Sequence, residues 1–195
     1  MSARMVLLGP PGAGKGTQAA RIAERLGIPA ISTGDIFRAN VAGATELGTQ
    51  AKAYMDKGEY VPDSITNAMV ADRIAQADCE NGFLLDGYPR TTAQVGELDS
   101  MLKDSGLALD VVVEITADAE AVVARLLKRA GEQGRPDDTQ PVIRHRLEIY
   151  AESTAPLAGI YAERGLLVQV DGMGEIDVVT DRIMEALAAR GITGS

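Results

Sequence analysis

The sequence predicts an α/β fold built on a central parallel sheet of five strands. Three observations lead there. Short apolar runs of strand length alternate along the chain with longer stretches whose apolar residues recur at helical spacing. The first run, Met5 to Leu8, passes through a glycine-rich loop directly into a helical pattern. The loop after Leu8, Asp86 and Asp171 each stand at the end of such a run. Right-handed crossovers bring all strand C-termini to one edge, which is where ligands bind in sheets of this kind.

At 195 residues the chain is long enough to bury one full core with small insertions. Apolar residues make up 46% and the mean hydropathy is zero, as in globular domains. No run approaches the roughly 18 apolar residues of a membrane span. Met-Ser-Ala-Arg leads straight into a core strand, so no secretory leader is expected, and a cytoplasmic protein is the simplest reading. The single cysteine, Cys79, excludes an internal disulfide and a multi-cysteine zinc site. A formal net charge of −9 argues against general binding to nucleic acid or an acidic membrane. Of the 19 basic residues, 14 are Arg, the side chain that grips phosphate with a two-pronged fork.

Taken in order, Met5 to Leu8 reads as a buried strand, Gly9 to Gly14 as a tight turn, and Lys15 to Leu26 as a helix with Ala19, Ile22, Ala23 and Leu26 on its apolar face, ending at Gly27. Glycines let backbone N–H groups approach an anion, and the helix start adds unpaired donors and a positive dipole end. A lysine at a helix start opposes the dipole unless it faces an anion. Gly9, Gly14 and Lys15 fit the phosphate-loop pattern G-x-x-x-x-G-K-[ST], but residue 16 is Gly and the hydroxyl arrives one position later, at Thr17.

Ile28 to Ser32 reads as the second strand. In S-T-G-D-I-F-R, residues 32 to 38, either Ser32 or Thr33 can cap a helix whose first turn holds Asp35. Residues 46 to 57 form an amphipathic helix ending at Gly58, and Asp63 caps a longer helix with Ile65, Met69, Val70 and Ile74 inward. Residues 32–61 are therefore helical material between two strands, poor in large apolar side chains, which suits a small mobile subdomain. Phe83-Leu84-Leu85-Asp86 has the form of a strand ending in a metal-orienting carboxylate. Gly87 to Arg90 is a loop, followed by a helix from Thr91 that carries Gln94. Asp110 to Ile115 is the fourth strand. Asp118 opens a helix with Arg125 and Arg129 on one face, Ala130 to Gly134 reads as a flexible crossing, and a further helix runs from about Thr139 with a kink at Pro156. Arg144 and Arg146 point differently, so one of them faces the site, while His145 reads as exposed. Leu166 to Val170 is the fifth strand. The last helix turns Ile176, Val179, Ile183, Met184 and Leu187 inward, and Gly191 to Ser195 reads as a mobile tail.

Four segments, G-P-P-G-A-G-K-G-T, I-S-T-G-D-I-F-R, F-L-L-D-G-Y-P-R-T-T-A-Q and R-P-D-D-T, in this order and spacing, resemble the adenylate kinase family. Gly16 is what that family carries, so the departure from the general motif becomes support. The resemblance implies a P-loop nucleoside triphosphate hydrolase-type fold: a core of residues 1–31, 62–127 and 139–195, a nucleoside monophosphate-binding insertion at 32–61, and a lid at 128–138. Only five residues separate Arg129 from Arg135, where the long form of the family has a far larger insertion. The chain thus looks like the short-lid form, and no structural zinc is expected.

Carried over by position, Gly12, Ala13, Gly14, Lys15, Gly16 and Thr17 should hold the ATP phosphates, with Arg125 and Arg129 beside them and Gly174 at the adenine. Thr33, Arg38, Glu59, Tyr60, Val61, Gly87, Tyr88, Pro89 and Arg90 should form the AMP site. There Gln94 meets the adenine edge, and Arg135 and Arg146 act as phosphate clamps. Lys15, Arg90, Arg125, Arg135 and Arg146 are the expected catalytic cations, and Asp86 should orient Mg2+ through water. The implied reaction is reversible transfer from ATP to AMP in a monomer. UMP or CMP kinases of the same family tend to carry Ala near 33 and Asn near 94, so Thr33 and Gln94 favour AMP. A P-loop switch or hydrolase would need a guanine-reading N-K-x-D, which the chain lacks.

Overall fold

The computed structural model of the chain describes residues 3–56, 61–133 and 139–194. The strands are β1 (Ala3–Leu8), β2 (Ala30–Ser32), β3 (Gly82–Asp86), β4 (Val111–Thr116) and β5 (Leu167–Asp171). They form one parallel sheet in the order β2-β3-β1-β4-β5. Strand β1 lies at the centre, with Met5 opposite Leu84 on one side and Val111 on the other. Its loop therefore emerges mid-sheet, between the ends of β3 and β4.

The central strands read as unbroken apolar runs because helices cover both faces. Val6, Leu8, Leu85 and Val112 join one buried cluster, and Met5, Leu7, Leu84, Val111 and Val113 join the other. The second face is closed by α1 (Lys15–Leu26) and α9 (Ile176–Ala188), through Ile22, Leu26, Val179, Ile183 and Leu187. The first face is closed by α4 (Asp63–Ile74), α5 (Thr92–Asp104) and α8 (Ala155–Glu163), through Met69, Leu98, Leu157 and Tyr161. Helices α6 (Ala119–Gln133) and α7 (Gln140–Ile149) share a smaller cluster of Val122, Val123, Leu126 and Ile143. Among the described residues no helix is long and apolar enough to cross a membrane.

Between β2 and α4 lie α2 (Thr33–Ala42) and α3 (Glu46–Met55). Ser32 rather than Thr33 caps α2, its hydroxyl accepting from the Asp35 N–H at 3.1 Å. Although poor in large apolar residues, this segment packs against the core: Ile36 and Ala51 are buried in the same cluster as residues of β3, with Phe37, Leu47 and Tyr54 packed on it. The amphipathic helix is described to Met55, with Asp56 at its C-cap; the expected end at Gly58 lies outside the described residues.

Several expectations are corrected. Asp63 does not cap α4. Pro62 occupies the cap position without a side-chain bond, and the Asp63 carboxylate instead accepts from Gln94 Nε2 at 3.1 Å. Ala130 to Gln133 is no flexible crossing, because α6 runs through it; helical hydrogen bonding tolerates the one glycine at 131. The second strand begins at Ala30, after Pro29, and the fifth runs one residue further, to Asp171. Ile176 is 51% exposed, although it shares the stripe of Val179, Ile183 and Leu187 that packs with α1, because it stands in the first turn of α9 at the end of that stripe. Its backbone carbonyl is used, accepting from Gln18 Nε2 at 3.1 Å.

The tail is docked rather than mobile over its described residues. The Ile192 N–H returns to the Leu187 carbonyl at 3.0 Å, and its side chain is buried in the cluster that holds Ala23 and Leu26. Gly194 follows so closely that a Cβ there would stand 2.3 Å from the Arg25 carbonyl oxygen. Ile192→Ala should therefore lower unfolding free energy by about 2 kcal/mol, measured by urea titration. A change below about 0.5 kcal/mol would show that the tail frays independently of the core.

Candidate active site

The site is built where β1 ends. Helix α1 has no acidic residue in its first turn and no side chain capping its N-terminus; its cap residue is Gly14, at φ 89°. The first-turn N–H groups thus remain available to an anion. The loop before it is packed from above: Gly12, at φ 84°, lies so near α6 that a Cβ would meet Leu126 Cγ at 2.7 Å. A Cβ at Gly16 would meet nothing within 4 Å, so no protein contact demands glycine there and the space opens to the cleft.

That cleft, of about 840 Å³, lies across the C-terminal edge of the sheet. It is lined by the loop and helix start at Gly12, Gly14, Lys15, Gly16 and Thr17, by Ser32, Thr33 and Gly34 at the β2–α2 junction, and by Asp86, Gly87, Pro89 and Arg90 after β3. Arg125 and Arg129 approach from α6 and Arg146 from α7. Among the described lining residues there are five cations and one carboxylate, in a chain of formal net charge −9. Positive charge is gathered here against the global balance, and such a concentration attracts a polyanion.

Lys15 and Asp86 set the electrostatics of the floor. The Lys15 ammonium donates to the Gly9 carbonyl at 2.8 Å. Burial pushes its pKa down, the Asp86 charge pulls it up, and Arg90 pushes it down again. For Asp86, burial raises the pKa while Lys15 and Arg90 lower it. Each group therefore stabilises the charged form of the other against desolvation.

The loop after β3 is anchored from several directions. The Arg90 N–H donates to Gln94 Oε1 at 2.7 Å, and Arg90 Nε donates to the Gly87 carbonyl at 2.7 Å. Tyr88 is buried and its hydroxyl donates to Asn67 Oδ1 at 2.8 Å, so it supports the loop from behind. Gln94 is 7% exposed and is not among the cleft-lining residues; its amide spans Arg90 and Asp63.

The other expected site residues are placed as follows. Ala13 is buried in the core cluster. Arg38 pairs with Asp35, and both line a smaller pocket of about 260 Å³ that shares Gly16, Ser32 and Asp86 with the main cleft. Val61 packs on the core. Gly174 lies outside the cleft lining, in a loop after β5 whose carbonyls are held by Arg182: its Nη1 donates to Asp171 O at 3.0 Å and Met173 O at 2.6 Å. Arg125 reaches the same loop at Gly172 O, at 3.5 Å. Arg146 lines the cleft, whereas Arg144 turns away to pair with Glu120 at 3.2 Å. His145 is exposed, beside Glu148. Glu59, Tyr60 and Arg135 lie outside the described residues.

Sequence reading missed Tyr150 and Thr154, which line the cleft from a π-helical turn, Tyr150–Thr154, between α7 and α8. The signal was Pro156, read only as a kink. Burial beside Glu114 pushes the Tyr150 pKa up to about 12.

A family model described as "Adenylate kinase" matches residues 7–166. A protein of Kocuria rhizophila named adenylate kinase is 64% identical over 184 residues, covering 94% of this chain and 98% of its own length. One of Pseudarthrobacter chlorophenolicus with the same name is 63% identical over 186 residues, covering 95% and 97%. One of Leifsonia xyli, again so named, is 59% identical over 188 residues, covering 96% and 94%.

Proposed function

The chain belongs to the adenylate kinase family, and from that premise we propose how its cleft performs the reaction ATP + AMP ⇌ 2 ADP. The observation that carries the reading is the charge distribution: five cations converge on one cleft at the strand ends of an acidic chain. One phosphoanhydride is broken and one is made, so the transfer runs both ways. The acceptor is a phosphate oxygen already ionised at neutral pH, and no general base is required. The chemistry needs positioning and cationic stabilisation of the equatorial oxygens.

In this reading the backbone of Gly12 to Thr17 cradles the ATP phosphates and Lys15 follows the transferred group. Arg90 grips the AMP phosphate beside Thr33, and Arg125, Arg129 and Arg146 surround the transferring oxygens. Arg38, in the middle of α2, lines with Asp35 the smaller pocket that adjoins the cleft, and would reach AMP from there. The docking of Gln94 behind the loop supports a positioning task for it in this state, alongside the adenine contact expected from the family. Residues 32–61 and 128–138 are the segments proposed to close over the nucleotides and exclude water, the competing acceptor.

A magnesium ion travelling with ATP fits the donor set. Asp86 presents one partly buried carboxylate at the cleft floor, and a hard cation that keeps most of its waters needs no more from the protein. Asp86 would hold the ion through its waters, and the ion would supply neutralisation of phosphate charge. The reading extends to a monomer acting in the cytoplasm. The formal net charge of −9 speaks against a nucleic-acid or anionic-membrane partner.

The test is an end-point assay with Mg-ATP and AMP, UMP, CMP, GMP or water as acceptor, resolved by chromatography. ADP should form rapidly with AMP alone, and ADP offered by itself should disproportionate. Preference for UMP or CMP would move the chain to the pyrimidine branch, and phosphate release without an acceptor would undo the water-exclusion reading.

A further inference from the structure

Thr154 departs from a local rule. It stands immediately before α8, where a threonine hydroxyl ordinarily accepts a hydrogen bond from the first helical turn. Here it makes no such bond. Instead it donates to the Arg90 carbonyl oxygen at 3.0 Å, across 64 positions of sequence. The cause lies in the chain around it. Pro156 has no N–H to continue the helical ladder, and the preceding turn opens to π geometry, with the Ala155 N–H bonded to the Tyr150 carbonyl. That turn brings Thr154 to the cleft wall.

Arg90 is thereby held at both ends of its own peptide units, with Gln94 taking its N–H and Thr154 its carbonyl. Its guanidinium is steadied separately by the Gly87 carbonyl. On the other side, the turn that carries Thr154 continues directly from α7, which brings Arg146 into the same cleft. Thr154 thus joins the turn that continues the helix bearing one cleft cation to the loop bearing another.

We infer that Thr154 is a positioning residue whose hydroxyl ties the Arg90 loop to the helix carrying Arg146, fixing the separation of the two cations across the cleft. This rests on the reading above in which both arginines hold phosphates. A phosphoryl-transfer site depends on such separations, because small misplacements of positioning groups are costly in rate.

The experiment compares Thr154→Val, which keeps the shape and removes the hydroxyl, with Thr154→Ser, which restores it. Each is made in the natural background and with Arg90→Lys. Initial rates are measured with Mg-ATP and AMP, and thermal midpoints are recorded alongside. Valine should lower kcat about 5- to 30-fold, with KM for ATP within about twofold and the midpoint within a few degrees. Serine should restore kcat to within about twofold. In the Arg90→Lys background, valine should add less than about twofold, since two changes acting through one contact are not additive.

Natural kcat in Thr154→Val, with Arg90→Lys impaired, overturns the positioning role and leaves the reading of Arg90 intact. Fully additive losses overturn the route through Arg90. A loss that follows the folded fraction and is not rescued by serine assigns Thr154 to stability alone and overturns the inference. Natural kcat in Arg90→Lys overturns the reading of Arg90, and the inference falls with it.

Discussion

Lys15→Met should lower kcat by at least about 100-fold while the protein stays folded. The charge lost is the one nearest the phosphate loop, and removing one preorganised donor to a developing charge typically costs about 3–4 kcal/mol, or two to three orders of magnitude in rate. The folded state has less at stake. Lys15 donates to the Gly9 carbonyl at 2.8 Å, a bond worth about 1 kcal/mol, and methionine retains most of the buried stem. Asp86 responds as well: without the Lys15 charge its carboxyl is left with burial and the Asp35 charge pushing its pKa up and Arg90 opposing them. Steady-state rates with saturating Mg-ATP and AMP, beside a thermal melt, decide the matter. A kcat within tenfold of the natural protein would remove Lys15 from the transition state.

Arg90→Ala should raise KM for AMP more than tenfold and lower kcat/KM for AMP by about two to three orders of magnitude, leaving KM for ATP nearly unchanged. A fork-on-phosphate contact makes two charge-assisted bonds, each worth about 1.5–3 kcal/mol. Lysine should recover little, since a point charge cannot replace the fork. The loop itself should survive, because Tyr88, Gln94 and Thr154 hold its backbone independently of the guanidinium. Kinetics with each nucleotide varied in turn separate the outcomes. Equal effects on ATP and AMP would mean that Arg90 serves both phosphates or the transferring group. An effect on ATP alone would exchange the proposed halves of the cleft.

Much of the site was legible because its information is local. A glycine-rich turn between a buried strand and a helix start, with a lysine where the dipole disfavours one, encodes a phosphate loop in a dozen residues. A parallel α/β pattern then carries Asp86 and Arg90 to the same edge without any contact being known. Gln94 and Asp63 were harder. Asp63 has a ready local interpretation as a helix cap, which the structure overturns, and neither residue's local pattern shows that the two side chains bond to each other across 31 positions. Ile176 and the tail failed for a related reason: helical periodicity marks an apolar face but not how far a neighbouring helix extends along it.

From the chain alone, then, follow the fold class, the strand order's binding edge, the phosphate loop and the family, because each rests on short-range periodicity, turn chemistry and motif spacing. Packing was needed for the rest. It placed Arg146 in the cleft and Arg144 against Glu120, buried Ile192 beside α1, and opened a π turn that sends Thr154 to Arg90. These outcomes depend on which long-range partner wins a side chain. That competition is decided by distances no one-dimensional pattern contains.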